Sequence, residues 1–157
     1  MSQLPVVHST FTLERVYKTR AERVYAAFAE PAKKRRWFAE GSKATDLESY
    51  ALDFRVGGTE RVEFRFTDAS LFPGVALINA GSILDIVDGQ RIVAASTMSI
   101  GGRCISATLM TAEIYAAEGG AKLVLTNQNA FFEGSDGPQM REQGWRDLLD
   151  KLSKELA

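Results

Sequence analysis

Towards the end of the chain, Trp145, Leu148, Leu149, Leu152 and Leu156 recur at the three- and four-residue spacing of one helical face, while Arg146, Asp147, Asp150, Lys151, Lys154 and Glu155 fill the other. The spacing predicts an amphipathic helix of about five turns. Asp136-Gly137-Pro138-Gln139 supplies its start, with a carboxylate to cap the first N–H groups, a proline tolerated in the first turn and a glutamine at the capping-box position. Before it the period changes from helical to alternating. Ala51 to Arg55, Thr59 to Thr67, Val75 to Val87, Arg91 to Ile100, Cys104 to Tyr115 and Ala121 to Phe131 read as strands. They are separated by Val56-Gly57-Gly58, a loop from Ala69 to Gly74, Asp88-Gly89, Gly101-Gly102 and Gly119-Gly120. Connections this tight imply antiparallel hairpins.

Upstream, Phe11 to Lys18 alternates and predicts a first strand, with Phe11, Leu13, Arg15 and Tyr17 on one face. Ala21 to Ala29 places Val24, Tyr25 and Phe28 at helical spacing, and Pro31 ends that helix and starts a second through Lys34 to Phe38. The predicted order is one strand, two short helices, a meander of about six strands and the long helix. This is an α+β layout in which one helix covers one face of the sheet.

Composition narrows the function classes. The 157 residues, 45% hydrophobic and 25% charged, are ordinary for one globular domain, with its core over residues 11–156. Nineteen basic against twenty acidic residues leave a net charge of −1, so no global field favours nucleic acid or an anionic membrane. The run Lys33-Lys34-Arg35-Arg36, followed by Trp37-Phe38, reads as a solvated helix face. Cys104, the sole cysteine, excludes an internal disulfide and fits a reducing cytoplasm. Met1-Ser2-Gln3-Leu4-Pro5 has no leader pattern and no apolar run is long enough to span a membrane, so a cytoplasmic location is expected.

No metal-ligand spacing, phosphate loop or nucleophile motif is present, so neither metal nor other cofactor is expected. His8 stands alone and reads as a surface residue. Cys104 is either a small residue in a strand or a thiol activated by Arg103. The candidates are polar residues on otherwise apolar strand faces: Arg15 beside Leu13 and Tyr17, Glu113 beside Leu109 and Thr111, and Asn127 and Asn129 in line with Leu123 and Leu125. If these faces point inward the polar groups need partners. Arg15 and Glu113 either form an ion pair tying the first strand to the meander or orient the polar end of a ligand. Tyr17, Trp37, Phe64, Phe66, Met98 and Trp145 are the apolar lining of a cavity, or plain core. Gly144, in the long helix, is expected to admit a close neighbour.

Arg15-Val16-Tyr17, Trp37-Phe38, Phe54-Arg55-Val56-Gly57-Gly58, Thr111-Ala112-Glu113, Leu123-Val124-Leu125-Thr126 and Gly144-Trp145 with Leu148, Leu149 and Leu152 together resemble the START-like superfamily. The branch they resemble is that of activators of the heat-shock protein 90 ATPase, also described as polyketide cyclase-like. The resemblance implies a helix-grip fold of six to seven strands around the C-terminal helix, with a cavity between them. Two departures stand out: Ala39-Glu40-Gly41-Ser42 follows Trp37-Phe38 where relatives carry aromatic and Gly-Pro residues, and Asn127 stands where many carry histidine. The resemblance therefore fixes no substrate. Three classes remain open: binding of a small apolar or aromatic molecule, a module for a chaperone or other protein partner, and a cyclase or hydrolase using Glu113. A cavity above about 300 Å³ with convergent polar groups would favour the first or third. Monomer and homodimer are equally compatible with the pattern.

Overall fold

Seven strands pair in the order β1-β7-β6-β5-β4-β3-β2, every neighbour antiparallel. Residues 3–40 and 42–157 are described in this computed structural model. Met1, Ser2 and Gly41, on which parts of the leader and cavity-mouth readings fell, lie outside them. Strand β1 (Val7–Tyr17) leads to helices α1 (Ala21–Ala29) and α2 (Pro31–Lys34), the latter running into one π-helical turn (Arg35–Ala39). Strands β2 (Thr45–Leu52), β3 (Thr59–Phe66), β4 (Ala76–Val87), β5 (Arg91–Ile100), β6 (Arg103–Ala117) and β7 (Gly120–Phe131) follow, and helix α3 (Gly137–Leu156) lies across the curved, open sheet. The helix-grip arrangement is the one expected. Among the described residues no helix is long and apolar enough to cross a membrane.

Strand β1 begins at Val7 and ends at Tyr17 rather than running from Phe11 to Lys18, and two further elements differ from the sequence reading for local reasons. Strand β2 occupies Thr45–Leu52 rather than Ala51 to Arg55. It is an edge strand, largely polar, and a bulge between Leu47 and Ser49 interrupts its alternation, so the pattern betrayed only its last residues. Asp136 has helical φ and ψ and makes no cap hydrogen bond, because its carboxylate is engaged by Arg141 instead. The Gly57-Gly58 turn behaves as read: Gly57 has φ of +83°, and a Cβ on Gly58 would lie 2.0 Å from the Asp53 carbonyl oxygen.

The concave face is apolar at one end. Leu13, Leu125, Ala112 and Ile92 lie side by side across β1, β7, β6 and β5, all buried. Leu149 and Leu152 of α3 close over the apolar face, both fully buried, whereas Trp145 is only half-buried. The leucines therefore anchor the helix, not the indole. Phe28 and Trp37 complete this core from α1 and the π turn, with rings 5.0 Å apart and the Trp37 indole N–H donating to the Ala27 carbonyl at 2.8 Å.

Tyr17 ties β1 to α3 by donating its hydroxyl to the Leu149 carbonyl at 3.3 Å. Burial pushes its pKa from 10.0 up to about 12, with Arg15 opposing the rise and Asp150 adding to it. Because the folded value is raised, the associated stability is complete below the unfolded value and is lost as pH climbs towards the folded one. Urea midpoints measured at about pH 8 and about pH 11 should therefore differ less in Tyr17→Phe than in the parent.

Candidate functional site

Away from the leucines, the concave face becomes polar and its side chains shrink. Gly81, Ser96 and Thr108 stand in register across β4, β5 and β6, too small to fill the space beneath α3. A cavity of about 60 Å³ remains there. Phe38, Met98, Met110 and Trp145 supply its apolar wall, and Lys34, Glu60, Asn127 and Arg141 its polar one. The volume is well below the roughly 300 Å³ of a pocket that encloses a drug-sized ligand, but the polar groups do converge.

Two ion pairs line it. Arg141 rises from the apolar stripe of α3 with its side chain only 8% exposed, and its Nε and Nη2 donate to the two Asp136 oxygens at 2.8 Å each. Nη2 also donates to Ser106 Oγ at 2.8 Å, and the guanidinium lies 5.2 Å from the Phe131 ring centre. Burial alone pushes the Asp136 carboxyl up, but hydrogen bonds and charge from Arg141, aided by Ser135, outweigh it and hold the group below its ordinary value. On the opposite wall, the buried Lys34 Nζ sits 2.8 Å from each Glu60 oxygen and 4.5 Å from the Phe38 ring centre. Tyr50 donates its hydroxyl to Glu60, and burial, then the Glu60 charge, pushes the Tyr50 pKa far up. Lys34 closes α2, and the π turn that follows, with its wider winding closed by Glu40 N–H to the Arg35 carbonyl at 2.9 Å, turns Trp37 into the core while leaving Phe38 at the wall.

Asn127 is fully buried opposite Met110, and neither its Oδ1 nor its Nδ2 has a protein partner. Asn129 is better served, since its Oδ1 accepts from Thr108 Oγ1 at 2.6 Å, although Nδ2 is unpaired.

Of the residues singled out from sequence, Met98, Asn127 and Trp145 meet at the cavity. Tyr17 and Trp37 lie in the core beneath it. Phe64 and Phe66 lie on β3 outside the lining, Phe66 packing on Phe72 of the following loop at 5.8 Å. Arg15 pairs with Asp150 of α3 at 2.7 Å, not with Glu113. Glu113 cannot reach it, because β6 turns Ala112 and Ile114 inward and Glu113 outward, where it accepts from Tyr115. The acid–base role considered for Glu113 inside the cavity is thereby removed. Gly144 is exposed with nothing near its missing Cβ, so close approach does not explain it. His8 is an exposed residue of β1, and the Arg103 beside Cys104 is engaged by Glu133 at 3.0 Å. No cluster of three or more His, Cys, Asp or Glu side chains suited to a metal occurs among the described residues.

Lys34, Glu60, Asp136 and Arg141 were missed. The signal was present: Arg141 precedes Trp145 by four positions on the α3 stripe, and Glu60 shares the strand face of Val62. Lys34 was submerged in a basic run that is not uniformly solvated.

The family model for "Activator of Hsp90 ATPase homolog 1-like protein" matches residues 18–157. A Rhizobium leguminosarum protein of known structure is 37% identical, with TM-score 0.88 over 97% of this chain and 96% of its own. One from Rhizobium loti is 41% identical, with TM-score 0.84 over 98% and 100%. One from Chromobacterium violaceum is 26% identical, with TM-score 0.75 over 94% and 96%. No curated protein matches.

Asp136→Asn should lower stability at neutral pH by about 3 kcal/mol by leaving Arg141 buried and unpaired, about 6–12 °C in Tm. The depressed carboxyl contributes above its unfolded pKa and loses that contribution in acid, so denaturation curves of parent and variant should converge as pH falls below about 4. Adding Arg141→Met to the same chain should recover part of the loss.

Proposed function

Because the chain belongs to the activator of Hsp90 ATPase homolog 1-like family within the START-like superfamily, we propose that it binds a small molecule between α3 and the sheet. The polar head of that molecule enters the cavity, and its apolar body lies along Phe38, Met98 and Trp145. The observation that carries this reading is Asn127. A buried amide with no partner costs about 1–3 kcal/mol, and a leucine of similar size would avoid that cost. Its presence at the cavity wall is useful to binding and expensive to folding. The modest volume fits a head group with the body reaching towards the half-buried aromatic rings, rather than a wholly enclosed ligand.

Native mass spectrometry of freshly purified protein should find a stoichiometric adduct that is lost on denaturation. Asn127→Leu should carry none while keeping or raising its urea midpoint. A parent protein that arrives empty and gains no thermal stability from any member of a small-molecule library would sink the reading.

A second reading is a protein-interaction module. It is favoured by the outer face of the sheet, where Ala80, Ala95, Ala107, Leu109 and Ala130 line an uncharged depression of about 660 Å³. On that reading the partner is the chaperone named in the family description. Stimulation of the Hsp90 ATPase that survives Asn127→Leu and is abolished by Leu109→Arg would select it over the first, and no stimulation would remove it.

A further inference from the structure

We infer that the head group taken at Asn127 is neutral and amide-like, a carboxamide or lactam carrying a carbonyl and an N–H side by side, rather than a carboxylate or an ammonium. The inference rests on the small-molecule reading above and deepens it. It comes from asking which polar atoms of the cavity wall are already used. Arg141 Nε and Nη2 are spent on Asp136, with Ser106 sharing Nη2, and Nη1 donates to Thr108 Oγ1 at 3.5 Å. Lys34 is spent on both Glu60 oxygens, and Glu60 also accepts from Tyr50. Each of these formal charges faces its counter-charge at hydrogen-bonding distance, so the wall offers no strong unpaired ion to a ligand.

Among the fully buried polar atoms of the wall, the unpaired ones belong to the Asn127 amide, one acceptor oxygen and one donor nitrogen, while Asn79, Ser82 and Ser96 also line the cavity as neutral groups that keep some solvent exposure. A carboxylate offers only acceptors. It would satisfy Nδ2, leave Oδ1 facing an anion, and add a third negative group beside Asp136 and Glu60. An ammonium offers only donors, leaves Nδ2 empty and adds a third cation beside Lys34 and Arg141. A carboxamide answers both atoms at once, its carbonyl accepting from Nδ2–H while its N–H donates to Oδ1. The space agrees: about 60 Å³ corresponds to roughly four to six water-sized spheres, enough for a head of a few non-hydrogen atoms. Met110, directly across from Asn127 in the strand register, lines the same cavity with a flexible thioether chain that can adjust to the head group.

The test is calorimetric titration of the full chain at neutral pH with hexanamide, hexanoate and hexylamine, and with benzamide, benzoate and benzylamine, alongside extraction of any molecule the protein carries from the cell. The amide of each skeleton should bind about tenfold or more tightly than its charged counterparts, as expected when a charged head leaves one buried polar atom unpaired. Asn127→Leu should abolish that preference. A carboxylate or amine that binds as tightly as the amide overturns the inference and leaves the binding reading standing, as does an amide preference untouched by Asn127→Leu. If no titrant binds while the extracted molecule carries no carboxamide or lactam, the amide assignment alone falls, and an extracted carboxamide or lactam supports it. If no titrant binds and nothing is extracted, the amide assignment falls, and the binding reading falls with it once the library screen also finds no ligand.

Discussion

A sheet of seven strands is wider than the helix that covers it. At a strand spacing of about 4.8 Å the sheet spans roughly 29 Å, whereas one helix with its side chains covers about 10–12 Å. Helix α3 can seal only part of the concave face, and its buried Leu149, Leu152 and Leu156 place that seal over β1 and β7, where Leu13 and Leu125 pair. The remaining width is closed by α1, α2 and the π turn. The seam between these helices and α3 is where Phe38 and Trp145 meet, 6.1 Å between ring centres. The cavity lies along that seam, so the fold yields a hollow from a mismatch of widths before any residue is chosen to line it.

The chemistry of the hollow follows from how its charges are held. Lys34 and Glu60 join α2 to β3, and Asp136 and Arg141 join the start of α3 to its second turn while reaching Ser106 on β6. Both pairs are short and largely shielded, so their first effect is to hold helices on the sheet, and their second is to cancel the field they would otherwise project inward. Asn127 then stands as the fully buried side chain of the wall left without a partner. On the proposed reading a neutral side chain would decide what the site accepts, because the charged ones are already occupied with each other.

Much of the fold was legible in the residues. The alternation from Thr59 onwards gave β3 to β7 within a residue or two, and Ala21–Ala29 was placed without error, because hydrophobic periodicity and glycine turns are local signals. Strand β2 escaped because an edge strand need not be apolar and a bulge shifts its phase. The site was legible only in part. Asn127 stood out as a polar residue in an apolar register, and the same test applied to Glu60 and Arg141 would have found them. Which side of β6 faces inward could not be read from alternation alone, since Glu113 shares its face with Leu109 and Thr111 while Ala112 and Ile114 are equally apolar on the other. Lys34 was hidden for another reason: in Lys33-Lys34-Arg35-Arg36 the winding of the backbone, and not the residue type, selects which cation is buried.

The pairing of β1 with β7 sets Val7 beside Phe131, and α3 begins only after β7 has ended. The first strand must therefore wait, unpaired along that edge, until almost every other strand has been made, and the apolar face stays bare until the helix behind them all arrives. Loop closure over so long a separation makes the final docking slow compared with the local hairpins. During synthesis the hairpins can form early, but the hollow itself exists only after the chain has been read through α3, so a ligand of the proposed kind would meet a finished domain and not a growing sheet.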